Sequence, residues 1–220
     1  MSNFNPKSDK SRVRRIPKRG QYDEATIYEI LDSDCVCNVG FNYNGYPVII
    51  PTIYGRSGNK LYLHGATTSR MLETLSKGEN LCISVTHVNG IVLARSLFHS
   101  SMNYKSVVIF GSGKLLPDSE KMDALKIVSD QIIPGRWEEA RLPSQKELKA
   151  TNLIEIEILE ASAKIREGHP GDDKVDYDLD IWAGVIPLTK HIGEPIPDPL
   201  LKPNISLPDS AKSYVNSNKN

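Results

Sequence analysis

Cysteine is scarce in this chain. Cys35, Cys37 and Cys82 are the three present among 220 residues. An odd count without repeated pairs excludes a disulfide framework and fits a reducing compartment. Cys35-Val36-Cys37 has one intervening residue. On a strand that puts both thiols on one face, in step with Val39 and Phe41, so they read as half of an apolar stripe. Metal-ligand spacing is missing elsewhere too, since His87, His99 and the scattered acids are too far apart in sequence. Net charge is also absent. The 27 basic and 27 acidic residues cancel, leaving no global field to recruit nucleic acid. No apolar run reaches membrane-spanning length and no hydrophobic signal core opens the chain, so a cytoplasmic protein is expected. There is no Gly-x-Gly-x-x-Gly turn for a dinucleotide pyrophosphate and no repeat of solenoid length.

The charge that is present is uneven. Lys7, Lys10, Arg12, Arg14, Arg15, Lys18 and Arg19 crowd the start of the chain against Asp9 alone. Residues 1–20 therefore read as a basic, flexible leader, without the interleaved aromatics of a nucleic-acid arm. Asp23 is placed as a helix N-cap before the stripe Ile27, Ile30, Leu31. Strands follow over 35–41 and 47–54, joined by Asn44-Gly45, a strong hairpin signal. More strands are expected at 61–64, 81–86, 91–94, 107–116 and 152–158, with Asn89-Gly90 as a second turn. Helices are expected at 69–76 and after Pro117, and Ser144-Gln145-Lys146-Glu147 has capping-box form. Short hairpin connections allow only antiparallel neighbours, and six or seven such strands close best as a barrel. The fold class is thus mainly β with inserted helices, spanning 21–188. Residues 189–220 read as an irregular tail rich in Pro, Asn, Ser and Lys.

Two stretches carry chemistry. Tyr62-Leu63-His64-Gly65-Ala66-Thr67-Thr68-Ser69-Arg70 leaves a strand, passes Gly and hydroxyls, and enters a helix with Arg in its first turn. Helix-start N–H groups, hydroxyls and a guanidinium suit a phosphate. A cation in a first turn also opposes the helix dipole, so an anion ligand explains Arg70 better than stability does. Ser69 can cap the helix and donate to the phosphate. The second stretch sets Tyr104-Lys105-Ser106 before the apolar strand Val107-Val108-Ile109-Phe110. Lys105 reads either as a ligand contact or as a solvated strand-end lysine. Together the stretches suggest a flavin mononucleotide (FMN) site on an antiparallel barrel. The form is FMN rather than FAD, because the grip suits a terminal phosphate.

With these residues the chain resembles the pyridoxamine 5'-phosphate oxidase-like, FMN-binding split-barrel family, and within it the nitroimidazole-reductase-type branch. The likeness also includes Ile133-Pro134-Gly135, Glu147-Leu148-Lys149-Ala150-Thr151 and Trp182-Ala183-Gly184 with Pro187. It implies a homodimer with two shared flavin sites. Val48, Ile49, Ile50, Pro51 and Thr52 would run under the isoalloxazine, their backbone meeting its polar edge. Ser69 and Arg70 would hold the phosphate, Lys105 and Ser106 would reach the flavin from the partner subunit, and Trp182 would flank it. His64, placed by the branch facing the flavin, is the candidate catalytic residue, able to bind or protonate a reducible substrate. Two departures stand out. Ser69-Arg70-Met71 lacks the second cation of the oxidases' Ser-Arg-Lys, and no Arg-x-His grips pyridoxamine phosphate near Lys190-His191. The expected activity is therefore FMN-dependent transfer of electrons from NAD(P)H to a small, nitroaromatic-type acceptor. The alternative is a split barrel that holds flavin, or haem through a His, without turnover.

Overall fold

Six strands close a ring in the computed structural model, which describes residues 7–218. They are β2 (Val36–Tyr43), β3 (Tyr46–Ser57), β4 (Lys60–Ala66), β5 (Asn80–Leu93), β6 (Ser101–Leu115) and β7 (Thr151–Glu157). Going round, β6 pairs β7, then come β4, β3, β2 and β5, which returns to β6. Every pairing is antiparallel. β8 (Glu160–Arg166) adds to β6, the short β1 (Gly20–Gln21) to β8, and β9 (Gly184–Pro187) to β5. This is the split barrel expected from the strand pattern.

Alternation builds the core. Val39, Phe41, Leu61, Leu63, Ile83, Val107, Ile109, Ile154 and Ile156 point inward and are buried. Cys37 joins them, and burial pushes its thiol up to about 12, which keeps it an inert packing group. Helix α1 (Glu24–Asp32) covers one end with Ile27, Ile30 and Leu31, and Asp23 caps it by accepting from Thr26 N–H at 2.8 Å. α2 (Arg70–Leu75) inserts Met71, Leu72 and Leu75 into the same core. A second cluster lies outside the barrel, where α3 (Lys121–Ile132) packs Ala124 and Val128 against Tyr62, Leu116 and Leu153.

That packing depends on Gly55. A Cβ there would sit 2.7 Å from Val128 Cα and 2.8 Å from the Ile127 carbonyl oxygen, both backbone atoms of α3. Gly55→Ala should therefore lift the helix and cost about 1–3 kcal/mol, as overpacking does. Urea unfolding of the two proteins measures this, and an unchanged midpoint would contradict the close approach.

The Asn44-Gly45 hairpin forms with φ of 51° and 83°, the left-handed pair of a type I′ turn. Asn89-Gly90 is not a turn. β5 runs through it as one strand, with a register shift between Val88 and Gly90, because β6 offers a continuous partner to both halves. Gly90 is needed there for another reason, since a Cβ would meet Val185 Cγ1 at 3.0 Å on β9. The basic leader makes contacts with the barrel. Positions 1–6 lie outside the described residues, but Ser8 donates to Glu160, Ser11 is buried and β1 pairs with β8. The tail is irregular up to α6 (Asp209–Ser217), which docks through Ser210 onto Glu139 and buries Val215. α4 (Arg136–Glu139) and α5 (Gln145–Lys149) complete the order, the latter with both bonds of its capping box in place. No helix among the described residues is long and apolar enough to cross a membrane.

Candidate cofactor site

The barrel is open at one seam. β3 and β4 pair only from Tyr54↔Leu63 to Ser57↔Lys60. Before Tyr54, β3 keeps β2 along one edge over Tyr46–Ile53 and has no strand along the other. β4 pairs β7 along its whole length, Lys60–Ala66, so beyond Leu63 it keeps β7 alone. The two strands therefore part, and an edge of backbone N–H and C=O groups faces the gap, free for a ligand with its own donors and acceptors. Val48 and Ile50 pack against the core from this edge, and Thr52 is half-buried. Ile49, Pro51 and Ile53 point the other way, with Ile49 72% exposed.

His64 is the first residue past the last β3–β4 pair, opposite Leu153 on β7. It shares the outer face with Tyr62 and Leu153, while Leu63 points into the barrel. Its Nδ1 is buried with no hydrogen-bond partner. Burial also lowers its pKa, so at neutral pH the ring is an uncharged imidazole. A neutral ring with an orphaned nitrogen at a cleft is suited to a ligand.

At the far side of the gap Ser69 caps α2, accepting from Leu72 N–H at 3.5 Å. Arg70 is exposed and faces no carboxylate within ion-pair distance among the described residues. Its guanidinium lies 5.8 Å from the centre of the Tyr43 ring, at the end of β2. His64 thus stands where β3 and β4 part, and Arg70 lies beside Tyr43, at the hairpin from which β3 starts.

The remaining candidates lie elsewhere in a single chain. Lys105 and Ser106 project to opposite faces of β6. Lys105 Nζ is 3.3 Å from Glu29 and 3.7 Å from Glu167, and lines a cavity of about 410 Å³ with Ser33, His87 and Lys190. Ser106 donates to the Lys164 carbonyl at 3.3 Å. Trp182 is 65% exposed, its ring laid over Gly184, where a Cβ would come within 3.0 Å of it. That contact accounts for Gly after Trp182-Ala183. β2 and β5 separate β3, with its open edge, from β6, which carries Lys105 and Ser106.

Residues 23–165 match the family model described as pyridoxamine 5'-phosphate oxidase, a span from α1 through β8. The chain belongs to the pyridoxamine 5'-phosphate oxidase family. Among solved structures, the flavocytochrome Anf3 from Azotobacter vinelandii is 35% identical, covering 94% of this chain and 96% of its own, with a TM-score of 0.89. A FAD- and haem-binding protein from Mycobacterium smegmatis is also 35% identical, over 89% of this chain and 96% of its own, with a TM-score of 0.86. A candidate 5-nitroimidazole antibiotic resistance protein from Bacteroides thetaiotaomicron shares the fold at 20% identity, over 66% of this chain and 86% of its own, with a TM-score of 0.56. Among curated proteins no relative matches. This member of the pyridoxamine 5'-phosphate oxidase family therefore has flavin-binding neighbours, and two of them hold haem as well.

A histidine that would hold haem iron needs an uncommitted ring nitrogen. His87 is engaged by Ser33 Oγ at 3.2 Å, the Ile30 carbonyl at 3.4 Å and Asp34 at 3.6 Å. His99 is 3.4 Å from Asp173, and His169 and His191 are exposed. His64 alone of the five has a buried ring nitrogen without a hydrogen-bond partner, and it stands just past the last β3–β4 pair. The residues present fit both groups.

Proposed function

We propose that the chain is a flavohaem redox protein, with flavin in the β3–β4 seam and haem iron taken by His64. The observation that carries this is the partnerless neutral imidazole of His64 beside an unpaired strand edge, in a chain 35% identical along most of its length to two flavohaem proteins. The β3 edge from Val48 to Thr52 would hydrogen-bond the flavin ring, and Ser69 with Arg70 would hold a phosphate. Bound flavin exchanges one or two electrons and haem iron one, so the pair could link a two-electron donor such as NAD(P)H to a one-electron acceptor. The protein supplies position, a phosphate anchor and a water-poor surround. The likeness to the nitroimidazole resistance protein is one of fold and carries no acceptor to this chain.

FMN remains the reading that Ser69 and Arg70 favour by themselves, as a grip on a terminal phosphate. The M. smegmatis relative holds FAD, and a Ser-Arg corner serves a pyrophosphate equally well, so we take the flavin to be FAD. The assembly belongs to the same proposal. Val36, Ile49 and Ile53 stay 47%, 72% and 37% exposed on the outer sheet face beside the seam. A second copy would cover them and bring Lys105, Ser106 and Trp182 towards the flavin.

The absorption spectrum of the purified protein tests the proposal, together with the mass of the flavin released on denaturation. Flavin bands plus a Soret band, and FAD as the released species, are expected. A flavin spectrum that gains no Soret band when haem is added would return the chain to a simple flavin oxidoreductase. FMN as the released species would restore the terminal-phosphate reading.

A further inference from the structure

We propose that His99, Asp173 and Asp176 form a binding site for a divalent transition-metal ion, zinc in type, separate from the seam. One ligand atom from each lies within 4.8 Å of the others, and the His99 Nε2 to Asp173 Oδ2 distance is 3.4 Å. Two ligands of a tetrahedral zinc, each bonded at ~2.0–2.1 Å, stand roughly 3.3 Å apart. The observed pair is already at that separation, and an Asp176 oxygen lies within 4.8 Å of both.

Local structure presents the three together. Asp173 caps a single 3₁₀ turn, Lys174–Asp178, and Asp176 N–H donates to the Asp173 carbonyl at 2.9 Å. Residues three apart eclipse in such a turn, so both carboxylates leave from one side. His99 ends another turn, Leu97–His99, between β5 and β6, with Phe98 edge-on to its ring at 5.3 Å. The two loops are held in register by Asp172. Its fully buried carboxylate accepts from Arg95 N–H at 3.2 Å, Ser96 N–H at 3.1 Å and the Arg95 guanidinium at 3.2 Å. That fixes the spacing of the loops and commits Arg95 to Asp172, so Asp173 and Asp176 have no arginine or lysine paired with them among the described residues.

One imidazole with two carboxylates, and a water in the fourth position, suits zinc or manganese-like ions. Magnesium and calcium prefer oxygen alone. The site would clamp the segment leading to Trp182 onto the β5–β6 connection. It does not depend on the flavohaem reading, since none of its ligands lies in the seam.

Zinc titrated calorimetrically into the full, chelator-treated protein tests this, with His99→Ala and Asp173→Asn beside it. One equivalent should bind to the wild type, and each variant should bind at least ~tenfold more weakly, with its zinc-free melting temperature unchanged. Asp173 is on the surface, so its variant keeps the test open if His99→Ala folds poorly. Substituting cobalt(II) should give a visible absorption that His99→Ala loses. Absence of zinc binding to the wild type, or variants that bind zinc as tightly as the wild type, would overturn the site. So would loss of a Soret band in His99→Ala with zinc binding intact, which would move His99 to the porphyrin.

Discussion

His64→Ala should abolish the Soret band while the protein still folds and still takes up flavin. His64 shares the outer sheet face with Tyr62 and pairs in register with Leu153, and α3 packs on that cluster without it. No hydrogen bond among the described residues is lost with the imidazole, so the fold has little to lose. The haem, by contrast, has no substitute ligand at the seam. His87 is tied to Ser33, Ile30 and Asp34 on another face of the barrel. Gln at position 64 fills much of the same volume without an iron-binding imidazole and should behave like Ala. Haem titration of the apo-proteins, followed at the Soret wavelength, measures the difference. A variant that binds haem as the wild type does would free His64 from the iron and leave it as a flavin or substrate contact. The lowered pKa adds a second readout. A neutral ring is the iron-binding form, so in the wild type haem binding should persist below pH 6.5, the usual value for histidine.

Much of the fold could be read from the chain alone. Apolar alternation located the six barrel strands, and the turn chemistry of Asn44-Gly45 set one register. The same logic failed at Asn89-Gly90, because a turn signal competes with whatever partner strand lies alongside, and β6 pairs across both halves. β8 was missed for a compositional reason. Its inward residues are Ala161 and Ala163, too small to show a hydrophobic period, although both are wholly buried. α6 was missed because its sequence favours helix only weakly, and its place depends on Ser210 bonding Glu139. At the site, the stretch from His64 to Arg70 pointed to a cleft, but the seam that makes it one is a matter of pairing. Where the pairing of β4 with β3 stops, while that with β7 continues, is written in no local motif. The zinc-type cluster was invisible for the same reason, its histidine and acids lying far apart in sequence and meeting only through Asp172. The absence of a glycine-rich turn, in turn, excludes only one way of holding a pyrophosphate, and so could not choose between FMN and FAD.

Arg70→Ala should weaken flavin binding about ten- to a hundredfold, the equivalent of losing one charge-assisted contact worth roughly 1.5–3 kcal/mol. In the unliganded chain Arg70 contributes little to stability. It is exposed, it has no carboxylate, and its contact with the Tyr43 ring at 5.8 Å is near the limit for a cation–π attraction. Its position in the first turn of α2 sets it against the helix dipole, a small cost that removal would relieve. The melting temperature of the apo-protein should accordingly stay level or rise slightly while flavin affinity falls. That opposition is the signature of a residue kept for a ligand. Arg70→Lys should fall between the two, since the charge survives but the two-pronged geometry does not. Fluorescence titration of FAD and of FMN into the three apo-proteins gives the ratios. Equal affinities for wild type and Arg70→Ala would remove the phosphate from this corner, and a loss larger for FAD than for FMN would place the guanidinium on the second phosphate.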